Sequence, residues 1–107
     1  MNINIEDREG YTIIKLEGEV DLSCSPDARQ SILSNLEENK HLLVDLANVS
    51  YIDSSGVASL VEGYQTAKKK SLNFGLVSIS DAAMNVLKLA RLDQVLPIFE
   101  TTEDYEK

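Results

Sequence analysis

A short polar segment, Asp53-Ser54-Ser55-Gly56, lies between an apolar run and a stretch with helical periodicity. Asp and Ser are preferred at the N-termini of helices, so either Asp53 or Ser54 is expected to be the N-cap residue. In open α/β folds the loops at the carboxyl ends of strands also form the ligand crevices. A Ser hydroxyl at this place is exposed and lies near the positive end of the helix dipole. The segment therefore predicts either a hydroxyl that can be modified or a capped turn with no further role.

Phosphorylation is the modification that would change such a hydroxyl most, because it adds about −1.5 to −2 charges and three acceptor oxygens. A second polar segment, Gly18–Cys24, is predicted to be a loop that leaves the same end of the sheet. We therefore expect Asp21, Ser23 and Ser54 to form one contiguous surface with the outward side of the helix from Val57 to Tyr64.

Hydrolase and nucleotide chemistry are poorly supported by the remaining residues. His41 is the single histidine, and it precedes an apolar strand whose other end leads to Ser54. A strand of five residues, at about 3.3 Å each, holds the two side chains beyond hydrogen-bond reach. The chain has no Gly-x-Ser-x-Gly elbow and no P-loop. Asp45 follows the apolar run, as a phosphoacceptor aspartate would. The acidic residues near the first strand lie in a hairpin, which is the wrong context to complete such a site, so Asp45 is expected to accept hydrogen bonds from loop amides.

Composition narrows the function classes further. The 107 residues include 10 Lys and Arg against 18 Asp and Glu, which gives a formal net charge of −8. An acidic chain of this length predicts one domain and is a poor ligand for nucleic acid or anionic membrane. Cys24 is the single cysteine, so no internal disulfide or cysteine-based zinc site is expected. No motif of the sequence predicts a cofactor. With no long apolar run and no signal-like N-terminus, a soluble protein of a reducing cytoplasm is expected.

The elements that must position these residues follow from the hydrophobic pattern. Alternating or continuous apolar residues predict five strands, at residues 2–6, 11–17, 42–46, 73–79 and 95–99. Residues 47–52 are predicted to connect the central strand to the segment at Asp53. Ser25 and Ser80 are predicted N-caps of the first and third helices, and the third is expected to turn four residues inward, namely Ala83, Val86, Leu87 and Ala90.

The resulting order is β-β-α-β-α-β-α-β, which predicts a single α/β domain over residues 1–107 with a mixed sheet flanked by helices. The tail at residues 100–107 is acidic and is expected to be a frayed helix or disordered.

Over nearly its whole length the sequence resembles the STAS domains, and among them the bacterial anti-sigma factor antagonists. The segment Asp53-Ser54-Ser55-Gly56-Val57, in this order of strands and helices, is the specific part of the resemblance. The other matching segments are Gly18-Glu19-Val20-Asp21, Leu43-Val44-Asp45-Leu46 with Val49 and Ile52, Gly75-Leu76-Val77, and the leucines at 87, 89 and 92. Val57 and Ala58 depart mildly from the family pattern, which usually has Leu and often has Gly at these places.

The resemblance implies a regulatory binding protein that is not an enzyme. It implies that Ser54 is phosphorylated by a serine kinase that is also an anti-sigma factor, and that a metal-dependent PP2C-type phosphatase reverses this. The unphosphorylated form would bind the anti-sigma factor and free the sigma factor. Partner contacts are expected at seven residues: Asp21, Ser23, Asp53, Ser54, Ser55, Gly56 and Val57. A fourth helix is implied after residue 100. The alternative is a STAS scaffold without a switch, such as a subunit of a lipid-transport complex, in which Ser54 only caps a helix.

Overall fold

The computed structural model describes residues 1–107 as five strands and four α-helices. In chain order these are β1 (Asn2–Arg8), β2 (Tyr11–Val20), α1 (Ser25–Glu37), β3 (Leu42–Ile52), α2 (Ser54–Lys69), β4 (Phe74–Val77), α3 (Asp81–Leu89), β5 (Ile98–Phe99) and α4 (Thr102–Glu106). A 3-10 turn, Leu92–Gln94, precedes β5. None of the helices combines the length and the apolar character that crossing a membrane requires.

The sheet has the strand order β1-β2-β3-β4-β5. β1 pairs with β2 in the antiparallel sense, and the other three pairings are parallel. Each parallel pair is joined by one helix, as the short connections of an α/β domain require. The mixed sheet, the order of the elements and the C-terminal helix confirm the predicted fold class.

Both faces of the central strand β3 are buried over Leu42–Leu46, as the continuous apolar run predicts. Leu42, Val44 and Leu46 belong to the main core of 19 buried residues, which the helices α1, α2 and α3 cover. Leu43 points the other way, into a smaller cluster with Tyr11, Ile13 and Val77. β3 therefore anchors the sheet from both sides and gives α2 a rigid starting point.

The acidic tail forms the helix α4, docked on the sheet, so the helical alternative is confirmed and the disordered one is wrong. The Tyr105 ring of α4 packs edge-on against Tyr11, with centroids 5.1 Å apart, and against Phe99 at 5.5 Å. Asn73 Nδ2 donates a 3.1 Å hydrogen bond to the Tyr105 hydroxyl. The Tyr11 hydroxyl donates to Glu106. Aromatic contacts with Tyr11 and Phe99, together with hydrogen bonds from Tyr11 and Asn73, thus hold a tail whose composition alone favours solvent.

β2 and β3 are both longer than their apolar patterns predict. β2 continues to Val20 and β3 to Ile52, and these two residues are partners in the parallel ladder. The predicted loop Gly18–Cys24 therefore begins only at Asp21. The ladder shifts register between Gly18 and Glu19, where Gly18 has a φ of 90°. Backbone hydrogen bonds between the two extensions stabilise the strand conformation there, which their polar side chains do not favour.

Local predictions at helix ends have mixed outcomes. Ser80 caps α3 as predicted, because its hydroxyl accepts from the Ala83 N–H at 3.2 Å. Ser25 is not the N-cap of α1: Cys24 takes that place, and Ser25 is buried as the first helical residue. The Asp21 carbonyl accepts from the Ser25 N–H at 2.8 Å, so the preceding turn already holds it.

The last predicted strands are shorter than expected, and one inward residue is misplaced. The predicted strand 73–79 spans only Phe74–Val77, and the predicted strand 95–99 only Ile98–Phe99. Ser78 and Arg91 have positive φ values, which end regular structure on either side of α3. Ala90 is exposed, since α3 ends at Leu89, one residue before it.

Candidate functional site

The site is built where α2 begins, and Asp53 is its N-cap residue, the first of the two predicted alternatives. Asp53 Oδ1 accepts from the backbone N–H of Ser55 at 3.0 Å and of Gly56 at 3.2 Å. It also accepts from the Ser55 hydroxyl at 2.5 Å. The pKa of Asp53 is lowered, mainly by the hydrogen bond from the Ser55 hydroxyl. The N–H groups of Gly56, Ser55 and Leu22 lower it further, whereas desolvation acts in the opposite direction with a smaller effect than the hydroxyl. A negative cap therefore fixes the first turn of α2.

Asp53→Ala is expected to lower the melting temperature at pH 7, because it removes the acceptor for two helix N–H groups. The folded-state pKa of Asp53 is depressed, so the unfolded chain binds more protons and this contribution is present at neutral pH. It is lost as the pH falls below about 4. The melting temperatures of wild type and Asp53→Ala should therefore converge between pH 7 and pH 3. Asp53→Asn keeps an acceptor and serves as the control; a gap that is independent of pH would contradict this assignment.

Ser54 and Ser55 differ in what their hydroxyl groups do. Ser55 is half-buried, and its hydroxyl is held by Asp53. Ser54 is exposed as the first residue of α2, and its hydroxyl takes no part in the capping bonds. Of the two adjacent serines, Ser54 alone presents a free hydroxyl to an approaching partner.

The loop that contains Asp21 and Ser23 lies beside this turn. The Asp53 N–H donates to the Val20 carbonyl at 3.2 Å, which ties the two loops together directly after the last ladder pair. Asp21 Oδ1 accepts from the Ser23 N–H at 3.0 Å and from the Ser23 hydroxyl, and the Cys24 thiol lies 3.4 Å away. These bonds, led by the Ser23 hydroxyl, lower the pKa of Asp21. The structure thus brings Asp21 and Ser23 to the edge at Ser54, but the Asp21 carboxylate is bonded within its own loop.

An open groove of about 600 Å³ runs from Ser54 between α2 and α3. Its lining is mostly small and aliphatic: Val57, Ala58 and Val61 from α2 face Val86 and Ala90 from the α3 segment. Val57 contributes little exposed surface, and Gly56 is buried against the sheet. Sequence reasoning missed the contribution of α3, because only the tertiary packing places it alongside α2.

The edge around Ser54 is acidic. Neither segment that builds it, residues 16–28 or residues 41–67, contains Lys or Arg. Arg29, the first cation after the Asp21 loop, is engaged by Glu62 through two bonds of 2.6 and 2.7 Å. No cluster of three or more His, Cys, Asp or Glu side chains is arranged to hold a metal ion.

The residues weighed for other chemistry lie elsewhere or have structural partners. Asp45 Oδ1 accepts from the Ala47 N–H at 2.9 Å, so it bonds a backbone amide as predicted, although Ala47 belongs to β3 and not to a loop. His41 lies at the opposite end of β3 from Ser54, where its Nδ1 accepts from the Asn73 N–H at 2.9 Å. Neither side chain is placed to act on Ser54.

Known proteins match this chain over more than nine-tenths of its length. It is 23% identical over 103 residues to the anti-sigma-B factor antagonist of Bacillus subtilis, covering 96% of this chain and 94% of that protein. It is 28% identical over 102 residues to the anti-sigma-B factor antagonist of Listeria monocytogenes, covering 92% and 90% respectively. These relatives are regulatory proteins rather than enzymes.

Solved structures of other proteins share the fold of this chain. The crystal structure of an anti-sigma factor antagonist from Mycobacterium paratuberculosis superimposes with a TM-score of 0.85 at 27% identity, covering 96% of this chain and 88% of that one. The Bacillus cell fate determinant SpoIIAA in its phosphorylated form shares the fold, with a TM-score of 0.76 at 18% identity and coverage of 98% and 97%. The family model described as the STAS domain matches residues 2–105. The chain therefore belongs to the STAS domain family.

Proposed function

We propose that this protein is an anti-sigma factor antagonist that acts by partner switching. Unphosphorylated, it binds an anti-sigma factor that is also a serine kinase, and so releases a sigma factor. The kinase transfers the γ-phosphoryl group of ATP to Ser54 Oγ, with loss of the hydroxyl proton and release of ADP, and the complex dissociates. A PP2C-type phosphatase then hydrolyses the phosphoserine with water and releases inorganic phosphate. The observation that carries the proposal is the exposed, unengaged Ser54 hydroxyl between the acidic Asp21 loop and the apolar groove.

The charge distribution supports dissociation on phosphorylation. A neutral Ser hydroxyl enters a desolvated interface and keeps a hydrogen bond there, whereas phosphoserine needs a cation to compensate its desolvation. The two segments that form this edge carry carboxylates, among them Asp21 and Asp53, but no Lys or Arg, and Arg29 is engaged by Glu62. The added phosphate would therefore oppose binding unless the partner supplied a new cation.

The position of Ser54 within the helix also indicates that the switch acts through the surface. Asp53, and not Ser54, caps α2, so modification of the Ser54 hydroxyl breaks no capping bond. A phosphate at the first residue of a helix is favoured by the helix dipole. Phosphorylation is thus expected to leave the fold intact and to change the charge of the contact surface.

The test is incubation of the purified chain with ATP and its cognate anti-sigma factor kinase, followed by mass measurement and phosphopeptide mapping. One phosphoryl group on Ser54 is expected. Ser54→Ala should abolish incorporation, and the neighbouring Ser55→Ala is the matched control that should retain it. Phosphate on Ser55 alone, or undiminished incorporation into Ser54→Ala, would show that the site is wrong. Absence of both phosphorylation and binding to any such kinase would favour the scaffold without a switch.

A further inference from the structure

The loop between β2 and α1 carries an exposed leucine, Leu22, beside the proposed phosphorylation site. Its side chain is 74% exposed and belongs to neither hydrophobic cluster of the fold. The other large exposed hydrophobic residues lie on other elements or beyond α3: Ile5, Tyr51, Leu89 and Val95. Leu22 therefore does not pack in the hydrophobic core.

The backbone that carries Leu22 is held in one conformation by hydrogen bonds on both sides. The Asp21 carboxylate accepts from the Ser23 N–H and hydroxyl, and the Asp21 carbonyl accepts from the N–H groups of Cys24 and Ser25 at 3.1 and 2.8 Å. The Cys24 thiol also lies 3.2 Å from the Glu19 carbonyl. An apolar side chain on such an ordered turn loses little conformational freedom on binding, which favours its use as an anchor.

The loop that carries Leu22 is tied to the cap of α2. The Val20 carbonyl accepts from the Asp53 N–H at 3.2 Å, and the Leu22 N–H is one of the groups that lower the pKa of Asp53. A partner that covers the Ser54 hydroxyl at the start of α2 is therefore expected to reach this loop as well.

The surroundings of Leu22 define the chemistry of that partner. Glu19, Asp21 and Asp27 lie within five residues of it, and no Lys or Arg occurs between residues 16 and 28. An apolar side chain on a segment whose charged residues are all acidic is complementary to an apolar pocket with cations beside it.

We propose that Leu22 is the apolar anchor through which this surface binds the anti-sigma factor. The partner inserts Leu22 into an apolar pocket whose Lys or Arg residues pair with the carboxylates of the loop, so that they are not free to compensate a phosphate on Ser54. This inference rests on the proposed function, since it takes the anti-sigma factor as the occupant of the surface.

The experiment is a calorimetric titration of the full chain with the anti-sigma factor kinase that phosphorylates Ser54. Leu22→Ala is expected to weaken binding at least about 30-fold, because a desolvated anchor is lost. Leu22→Lys should weaken it further through repulsion by the cations beside the pocket, whereas Leu22→Met, of similar volume, should bind nearly as wild type does. Ile5→Ala, an exposed aliphatic residue on the edge strand β1, is the matched control and should have no effect.

Two controls separate the possible outcomes. Thermal melts of each variant are expected to match wild type, because Leu22 lies outside the core. The affinity should fall with added salt for wild type and Leu22→Ala alike, because both retain the carboxylates. If wild type binds and Leu22→Ala or Leu22→Lys binds equally well, the anchor is wrong and the proposed function stands. If wild type itself neither binds nor becomes phosphorylated, the proposed function fails and the anchor with it.

Discussion

Ser54→Asp is expected to weaken binding to the anti-sigma factor more than about 100-fold, whereas Ser54→Ala is expected to weaken it about fivefold. Alanine removes one hydroxyl hydrogen bond, worth about 1 kcal/mol. Aspartate instead places a charge in a surface that must lose its water, and a penalty of about 3 kcal/mol corresponds to the larger factor. The neighbouring Asp21 and Asp53 offer this charge no compensation.

The same substitution is expected to leave the fold at least as stable as wild type. Ser54 is the first residue of α2, where a carboxylate interacts favourably with the helix dipole by about 0.3–1 kcal/mol. A loss of binding can therefore not be explained by unfolding. Calorimetric titration and thermal melts of both variants provide the measurement.

A charge control makes this comparison specific to the site. Ser71→Asp changes the net charge of the chain equally, but it lies beyond the C-terminus of α2 at the other end of the helix. It should bind nearly as wild type does. Equal affinities for Ser54→Asp and Ser54→Ala would contradict the electrostatic account of the switch.

The elements that the sequence predicts best are those fixed by local patterns. The apolar stripe of α2, which includes Val57 and Leu60, gives the helix and its buried face, and Asp53 caps it as one of the two predicted residues. The continuous apolar run Leu42–Leu46 gives the central strand. In each case short-range chemistry and the tertiary structure require the same conformation.

The features that the sequence does not reveal depend on distant partners. Residues 47–52 continue β3 because the end of β2 pairs with them, although Asn48, Ser50 and Tyr51 are exposed there. The tail docks because Tyr105 meets Tyr11 across the fold and its hydroxyl accepts from Asn73. No local window contains these contacts, so the local pattern predicts a strand that is too short and leaves the order of the tail open.

The candidate site likewise has parts that follow from the local sequence and parts that depend on the tertiary structure. Asp53, Ser54 and their neighbours follow from one short segment, and their local geometry follows from helix capping. The groove and the exposure of Leu22 do not, because a leucine in a loop is buried or exposed according to what packs over it. The motif locates the hydroxyl, and the fold supplies the surface around it.

Gly56→Ala is expected to destabilise the domain by about 1–3 kcal/mol, the cost of overpacking a close contact. A Cβ at this position would lie 2.7 Å from Ile52 Cγ1, 2.9 Å from Val20 Cγ1 and 3.1 Å from the Val20 carbonyl oxygen. The carbonyl cannot move alone, because the Asp53 N–H donates to it. The added methyl group must therefore push the first turn of α2 away from the ends of β2 and β3.

The sign of this effect is informative, since Gly→Ala at an open helix position is stabilising by up to about 1 kcal/mol. Gln65→Ala, an exposed position on α2, is the control and should leave the melting temperature unchanged or raise it. For a domain of this size each lost kcal/mol corresponds to a fall of about 4–8 °C in Tm. Thermal melts of the two variants decide the matter.

This result would assign the glycine of the motif to packing and not to partner contact. Gly56 is buried beneath the capped turn, and its N–H is already used by Asp53, so it offers a partner little surface. Its role is to let α2 start close against the sheet, which fixes Ser54 beside the Asp21 loop. If Gly56→Ala melts at or above the wild-type temperature while losing its partner, the glycine acts through the interface and the packing assignment is wrong. If it melts lower and binds weakly, the position of Ser54 depends on this contact, because the same displacement that costs stability also moves the hydroxyl.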